Sequence, residues 1–342
     1  MLNFAIMIRK IFVLLGLLFS VELFSQVLWK SYEQKHFREL PHGNYSGLAS
    51  IGKHRYVMVS DKTPVDGFFI TKIDIDSISG DILSVKIDSF IQSNGKCRDA
   101  EGIAFYPDRH TVFIAGEADN EILEYMLDGG KTGRKLAIPE QFRSCAPNYG
   151  LESLSYNDST KLFWTTSEST LPSDIAADTV LFKSHKMLRL QSFTHDLLPS
   201  QQYLYLMDTP LMEHRKSSAY AHGVSELLAL DNGSLLVLER EFYVPMLKIG
   251  AFVVCKLYAV NPKQSSPIVL SLPLKDAYPL EKKLVYQWRT SLSLFGRSLA
   301  NYEGMCLGPR ISNGKQVVLL ISDSQNGYAG VLKDWFKSIV IE

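Results

Sequence analysis

The chain has 342 residues, of which 46% are hydrophobic and 21% charged, enough apolar matter for a sizeable core and too little charge for a disordered polyelectrolyte. Its 36 basic and 36 acidic residues cancel, with no long run of either sign, so the composition carries no electrostatic footprint for DNA, RNA or an anionic membrane. Four cysteines are too few for a disulfide scaffold, and there is no CxxC pair or HExxH helix to suggest zinc.

The first residues differ from the rest. Arg9 and Lys10 precede the apolar run from Ile11 to Phe19, and the more polar Ser20, Glu22 and Ser25 follow it. That is a signal-peptide pattern, with Met7 an alternative start. Cleavage after Ser25 would leave residues 26–342. An uncleaved anchor is the competing reading, disfavoured because a spanning helix needs about 20 apolar residues. No cysteine lies near the cleavage region to carry a lipid, and no later stretch approaches membrane length. The mature protein is therefore expected to be exported to the periplasm or outside the cell, with no membrane span.

Beyond this leader, one layout recurs five times: a polar residue, a small residue, an aliphatic residue, a turn, then an apolar strand that stops at an acid. The units begin at Ser46-Gly47-Leu48, Glu101-Gly102-Ile103, Glu152-Ser153-Leu154, His222-Gly223-Val224 and Glu303-Gly304-Met305. They close at Asp61, Glu117, Glu168, Glu239 and Asp323. The central turns carry Gly52, Pro107-Asp108, Asn157-Asp158, Asp231-Asn232-Gly233 and Asn313-Gly314, so each unit reads as a β-hairpin. Further strand-like stretches follow most of them: Phe68 to Asp74, Glu121 to Leu127, His185 to Gln191 and Cys255 to Asn261.

Units of three or four short strands recurring roughly every 50 to 80 residues fit the blade of a propeller better than a sandwich or helical solenoid. The expected fold is all-β, a single β-propeller of three- to four-stranded antiparallel blades. Six blades are expected, the sixth coming from the longer gaps or from terminal strands that close the ring. No long amphipathic helix interrupts the strands, though Glu281 to Leu299 could hold a short one. No linker or low-complexity segment divides 26–342.

Hairpin geometry turns the repeat into chemistry. In a tight antiparallel pair, the first residue of one strand lies beside the last of the other, which brings Glu101 to Glu117, Glu152 to Glu168 and Glu303 to Asp323. If these are the inner strands of successive blades, their open ends ring one mouth of the channel. Gathered carboxylates are unfavourable unless protonated or offset by a cation or arginine. A hard ion that takes six to eight oxygen ligands, such as Ca²⁺, is the simplest compensator. Any single acid can equally cap a strand end and face solvent, so the recurrence carries this reading. Cys97 and Cys145 precede equivalent points of neighbouring units, where a loop-to-loop bridge is conceivable, whereas Cys255 and Cys306 lie in apolar runs and read as buried thiols.

The strings Arg98-Asp99-Ala100-Glu101-Gly102-Ile103-Ala104, Asn148-Tyr149-Gly150-Leu151-Glu152-Ser153-Leu154, Leu235-Leu236-Val237-Leu238-Glu239-Arg240 and Asn301-Tyr302-Glu303-Gly304-Met305 resemble the phytase-like family described as having esterase-like activity. Ser46-Gly47-Leu48 and Ile321-Ser322-Asp323 with Asn326 fit its first and last motifs, so the likeness runs in order from about Ser46 to Asn326. It implies a secreted β-propeller that hydrolyses a phosphoester or ester.

On that reading a divalent cation, Ca²⁺ foremost, is the expected cofactor, with Asp61, Glu117, Glu168, Glu239 and Asp323 as its ligands. Glu101, Glu152 and Glu303, joined by His222, are the expected acid-base residues. Arg98, Arg143 and Arg240 are the expected substrate contacts, since a guanidinium pairs bidentately with phosphate, although an ion pair between Arg240 and a neighbouring carboxylate is an equal alternative. There is no Gly-x-Ser-x-Gly elbow, Arg-His-Gly signature or P-loop, which leaves metal-assisted hydrolysis of a small-molecule phosphoester as the leading expectation. Its rivals are a carboxylester or lactone hydrolase on a calcium propeller, and a propeller that binds a ligand or protein without chemistry.

Overall fold

The computed structural model describes residues 27–143, 150–175, 185–213, 215–269, 274–293, 297–325, 327 and 332–342. After a short first strand, β1 (Leu28–Ser31), come β2 (Tyr45–Gly52), β3 (Arg55–Ser60), β4 (Gly67–Ile75) and β5 (Ile82–Gln92), one antiparallel sheet in chain order. The second sheet is β6 (Ala100–Tyr106), β7 (Thr111–Gly116), β8 (Glu121–Met126) and β9 (Lys131–Lys135). The third is β10 (Ser155–Asn157), β11 (Leu162–Thr165), β12 (Met187–Phe193) and β13 (Pro199–Leu206). The fourth is β14 (Ala219–Ala229), β15 (Leu235–Val244), β16 (Phe252–Val260) and β17 (Lys282–Ser291). The fifth is β18 (Asn301–Arg310), β19 (Gln316–Asp323) and β20 (Phe336–Ile341), with β1 as its outermost strand.

These are five blades of a propeller, one fewer than the sequence suggested. The N-terminal strand builds no sixth sheet. It pairs antiparallel with β20, Leu28 opposite Ile341 and Ser31 opposite Ile339, and so ties the two ends of the chain together in one blade. Within the stretch that could have held a short helix lies β17 instead, whose Lys282 to Ser291 pair along the length of β16. Among the described residues, two four-residue helices, α1 (Glu140–Arg143) and α2 (Pro172–Ile175), lie in the loops.

Five apolar clusters hold the ring, one between each pair of neighbouring blades. Val57, Val59, Ile103 and Ile114 pack blade one on two, Phe113 and Phe163 two on three, and Leu190, Tyr205 and Val237 three on four. Leu238, Val253 and Leu320 pack four on five, and Met58, Ile73 and Leu319 close five on one. The middle strands are covered on both faces, which explains their unbroken apolar runs.

The inner hairpins share an irregularity that sets the site. Pairing skips one residue between Tyr45 and Gly47, Ala100 and Gly102, Val224 and Glu226, and Tyr302 and Gly304. In blade three the matching bridge is Leu151 opposite Ser167, with the Glu152 amide donating to the Thr166 carbonyl. The bulged residues are therefore Ser46, Glu101, Glu152, Ser225 and Glu303. The residue opposite each pre-bulge position is Ser60, Gly116, Ser167, Glu239 or Ser322, and the next one on, which closes each hairpin, is Asp61, Glu117, Glu168, Arg240 or Asp323. A small residue follows the bulge in four blades because inner strands nearly touch there: a Cβ on Gly102 would fall 2.5 Å from the Leu154 nitrogen.

Candidate functional site

Two positions per blade, the bulge and the closing residue, meet at one end of the channel. Seven are carboxylates: Asp61, Glu101, Glu117, Glu152, Glu168, Glu303 and Asp323. Among them lies one guanidinium, Arg240, which is only 7% exposed. Its Nη2 donates to Glu168 Oε1 at 3.1 Å, while Nη1 lies 3.1 Å from Glu303 Oε1 and donates to Asn301 Oδ1 at 2.5 Å. Asn301 Nδ2 in turn donates to Glu303 Oε1 at 2.7 Å. The Nε–H of Arg240 is buried and has no partner.

On the other side of the mouth, Asp61, Asp99 and Glu101 each place one oxygen within 4.8 Å of the others. Lys62 at the rim reaches Asp61 at 2.6 Å and Asp99 at 3.1 Å, but Asp61 Oδ1 remains buried without a partner. Glu117 accepts the Gly150 amide at 3.1 Å, and Asp323 accepts the Gln325 amide at 2.6 Å.

Burial and mutual repulsion push these acids toward their neutral forms. Glu101 rises well above the usual carboxylate range, through burial first and then the charges of Glu152 and Glu303. Glu152 does likewise, through burial and Glu168. Burial also raises Glu303, to about 7, against the pull of Arg240. Asp323 is raised by burial and by Glu303. For Arg240, burial alone would favour the neutral form, and the charges of Glu303, Glu168 and Glu152 overcome it and hold the proton.

The structure brings together most of the residues singled out in the sequence, with some changes of role. The pairing of Glu152 with Glu168 and of Glu303 with Asp323 holds, but Glu101 feels Glu152 of the next blade before its hairpin partner Glu117. The bulge at Glu101 puts its carboxyl against the acid of the next blade, whereas bulged Glu152 still meets Glu168 of its own hairpin first.

The fourth unit is out of register with the sequence reading by three residues at its start. Val224, not His222, stands opposite Glu239, so Ser225 takes the bulge and Arg240 takes the closing place expected for Glu239. Glu239 faces the seam between blades three and four, accepting from Tyr205 Oη at 2.6 Å, Lys282 Nζ at 2.7 Å and the Asp208 amide at 3.2 Å. His222 sits beyond the ring, opposite Glu241, with its Nδ1 buried and unpartnered. Burial, then Lys186 and Lys256, push its imidazole down to about 4, which leaves it neutral.

Arg98 is buried with all five N–H donors engaged, by Asp119 twice, Ile114 O, Tyr125 Oη and Glu121 O, so it braces blade two rather than facing a ligand. Arg143 ends α1, exposed, 3.8 Å from Glu140. Cys97 donates to the Asp61 carbonyl, and its conceivable partner Cys145 lies outside the described residues, as do the leader and Asn326.

Sequence reasoning passed over Asp99, Lys186 and Glu226. Asp99 has φ +55° and Asn44 φ +47° two residues before their bulges, a place filled elsewhere by Gly150, Gly223 and Asn301, so an Asn/Asp/Gly signal for it was present. Lys186 donates to the His222 carbonyl at 2.5 Å, and burial lowers its pKa. Glu226 stands where other blades carry Gly or Ser. Its Oε1 accepts the amides of Leu154 at 3.2 Å and Leu227 at 2.9 Å, and the Met305 amide also bonds its carboxylate. One side chain thus joins three blades across the channel.

A family model described as phytase-like, esterase-like activity of phytase, matches residues 40–325. No curated protein matches the chain. Among solved structures, an endo-arabinase from Bacteroides thetaiotaomicron is similar at 11% identity, over 89% of this chain and 95% of that one, with a TM-score of 0.45. A carbohydrate-active enzyme of family AA12 from Trichoderma reesei is similar at 8% identity, over 93% and 98%, with a TM-score of 0.43. A member of the DUF4221 family from Bacteroides vulgatus is similar at 9% identity, over 93% and 99%, also with a TM-score of 0.43.

Proposed function

Since the chain belongs to the phytase-like family, that of the esterase-like activity of phytase, we propose that it is an exported hydrolase that cleaves a phosphoester at the carboxylate mouth with the help of a divalent cation. The observation that carries this reading is the charge imbalance. Seven carboxylates, five of them buried and Asp61 and Glu117 half-buried, face Arg240 and the rim lysine Lys62, and such a set cannot admit a phosphate unless more positive charge enters with it.

The donor set suits a hard ion. Asp61, Asp99 and Glu101 offer oxygens only, close together, and one of them, Asp61 Oδ1, lacks any partner. A divalent ion such as Ca²⁺ bound there supplies the charge that offsets phosphate oxygens and neighbouring acids. The protein supplies the rest. The unpartnered Nε–H of Arg240 is a donor for a substrate oxygen. Glu303, with its carboxyl raised to about 7, is suited to take a proton from the attacking water as the new P–O bond forms. Glu152, raised by burial and by the charge of Glu168, is suited to give one to the alkoxide as the old P–O bond breaks, so the alcohol leaves neutral.

The test assays phosphomonoesters, phytate and aryl esters with and without chelator, alongside the metal content of the purified protein. Phosphoester cleavage lost on chelation and restored by Ca²⁺ is expected. Glu101→Gln, which deletes one charge of the oxygen trio, is expected to lower bound metal and to cut turnover by about 10²-fold or more. The family description also favours a carboxylester substrate at the same mouth. Aryl ester cleavage without phosphoester cleavage would choose that reading, and inactivity on the whole panel by folded, metal-loaded protein would overturn both.

A further inference from the structure

Blade four overshoots the rim of the mouth. In the other blades the strand leading to the closing residue ends at or before it, whereas β15 runs on past Arg240 to Val244. Over that length Phe242, Tyr243 and Val244 pair with Ala221, Tyr220 and Ala219 on one side, and Phe242 and Tyr243 with Val253 and Phe252 on the other. At about 3.3 Å per residue, this arm stands roughly 13 Å above the ring.

Its tip is apolar and exposed. Met246 is 65% exposed, Leu247 87% and Ile249 57%. The turn that presents them is built, not frayed: the Lys248 amide donates to the Pro245 carbonyl, the Ala251 amide to the Lys248 carbonyl, and Gly250 and Leu292 join at 2.9 Å. Exposed basic residues surround it. Lys248 lies within the turn. Lys216 is held alongside by Tyr243 Oη on its carbonyl, with Arg215 next to it, and Arg297 bridges to Leu292. Among the described residues, Glu213 and Glu241 lie beside Tyr220, and Glu241 is buried, accepting the Leu211 and Met212 amides.

We propose that this arm docks the protein onto an anionic lipid bilayer, with Met246, Leu247 and Ile249 entering below the headgroups and Arg215, Lys216, Lys248 and Arg297 pairing with lipid phosphates. Apolar residues framed by cations are the interfacial binding pattern. The shape favours a bilayer over a protein. A stable protein interface buries about 800 Å² per partner, more than three side chains on a convex tip supply, whereas a fluid bilayer yields around a wedge. Because the arm rises on the mouth side, docking turns the carboxylate ring toward the lipid surface. The inference stands whether or not the mouth is hydrolytic.

The test is co-sedimentation of the full folded chain with phosphatidylcholine vesicles, with and without phosphatidylglycerol. Binding to the anionic vesicles is expected, weaker at high salt, and reduced about tenfold or more by Met246→Ser, Leu247→Ser and Ile249→Ser together, and also by Lys216→Glu with Lys248→Glu. A Leu247→Trp variant is expected to shift its emission to the blue on those vesicles. All these positions are exposed, so unchanged melting confirms the fold of each variant. Equal sedimentation of the triple variant, or no binding of the parent protein to either vesicle, would overturn the proposal. So would a parent dimer that the triple variant dissociates, since a second copy would then cover the tip.

Discussion

At the scale of single residues, Arg240 decides the character of the mouth. It bridges Glu168 and Glu303 from blades three and five, and its own blade contributes no acid at either ring position. Arg240→Met leaves two buried acids without their cation, a loss of about 3 to 5 kcal/mol in the absence of divalent ions, read from urea unfolding. Added Ca²⁺ is expected to return part of it. Arg240→Lys is not a conservative change here, because one ammonium cannot reach both carboxylates and Asn301 in the plane a guanidinium offers. Lysine at this position is expected to retain less than half of the stability that arginine provides.

At the scale of elements, the bulge is the device that makes a site from a hairpin. By adding one residue to the inner strand it turns Glu101, Glu152 and Glu303 toward the channel while the ladder continues on either side. The residue after the bulge must then be small where inner strands meet, and blade four breaks that rule with Glu226. Its carboxyl is raised well above the usual range by burial, and amides from blades three, four and five offset that cost. Glu226→Ala strands those amides, and a loss of about 1 to 3 kcal/mol in unfolding free energy is expected. Glu226→Gln, which keeps an acceptor oxygen, is expected to cost less. If both variants unfold as the parent does, the side chain does not hold the blades together.

At the scale of the whole molecule, the ring of acids links stability to pH. Glu101, Glu152, Glu303 and Asp323 all hold their protons more tightly folded than unfolded, so the unfolded chain binds fewer protons and stability falls as pH rises. For Glu303 that contribution is complete below 4.5 and is lost through about 7. His222 works the other way, with its proton held less tightly when folded, and it offsets the fall only between about 4 and 6.5. Above 6.5 His222 no longer offsets the acids, and the lowered Lys186 and Lys337 oppose them only where they begin to lose their protons. There each acid still protonated in the fold costs about 1.4 kcal/mol per pH unit. Metal-free protein is expected to melt at a lower temperature at pH 8 than at pH 6.5, and a saturating divalent cation is expected to flatten or reverse the trend. Equal melting at both pH values without metal would show that the ring is not protonated.

The chain's local pattern was sufficient for the hairpins, the family motifs and most of the acids, because strand alternation, turn residues and strand-end charges are all written within a few positions of one another. The fourth unit was misread from its layout. Asp231 follows Ser225 by six residues as Pro107 follows Glu101, but Ser225 is followed by Glu226 rather than a small residue, whereas His222-Gly223-Val224 fits the polar, small, aliphatic layout of the other units and so looked equivalent. Blade number was equally hidden, since only the pairing of Leu28 with Ile341 shows that the first strand completes the last blade. Charge was legible in part: the hairpin repeat pointed to a mouth ringed with carboxylates, whereas nothing in the sequence pointed to the apolar, cation-framed tip of blade four, because composition counts charges and only the closed ring of blades decides which of them become neighbours.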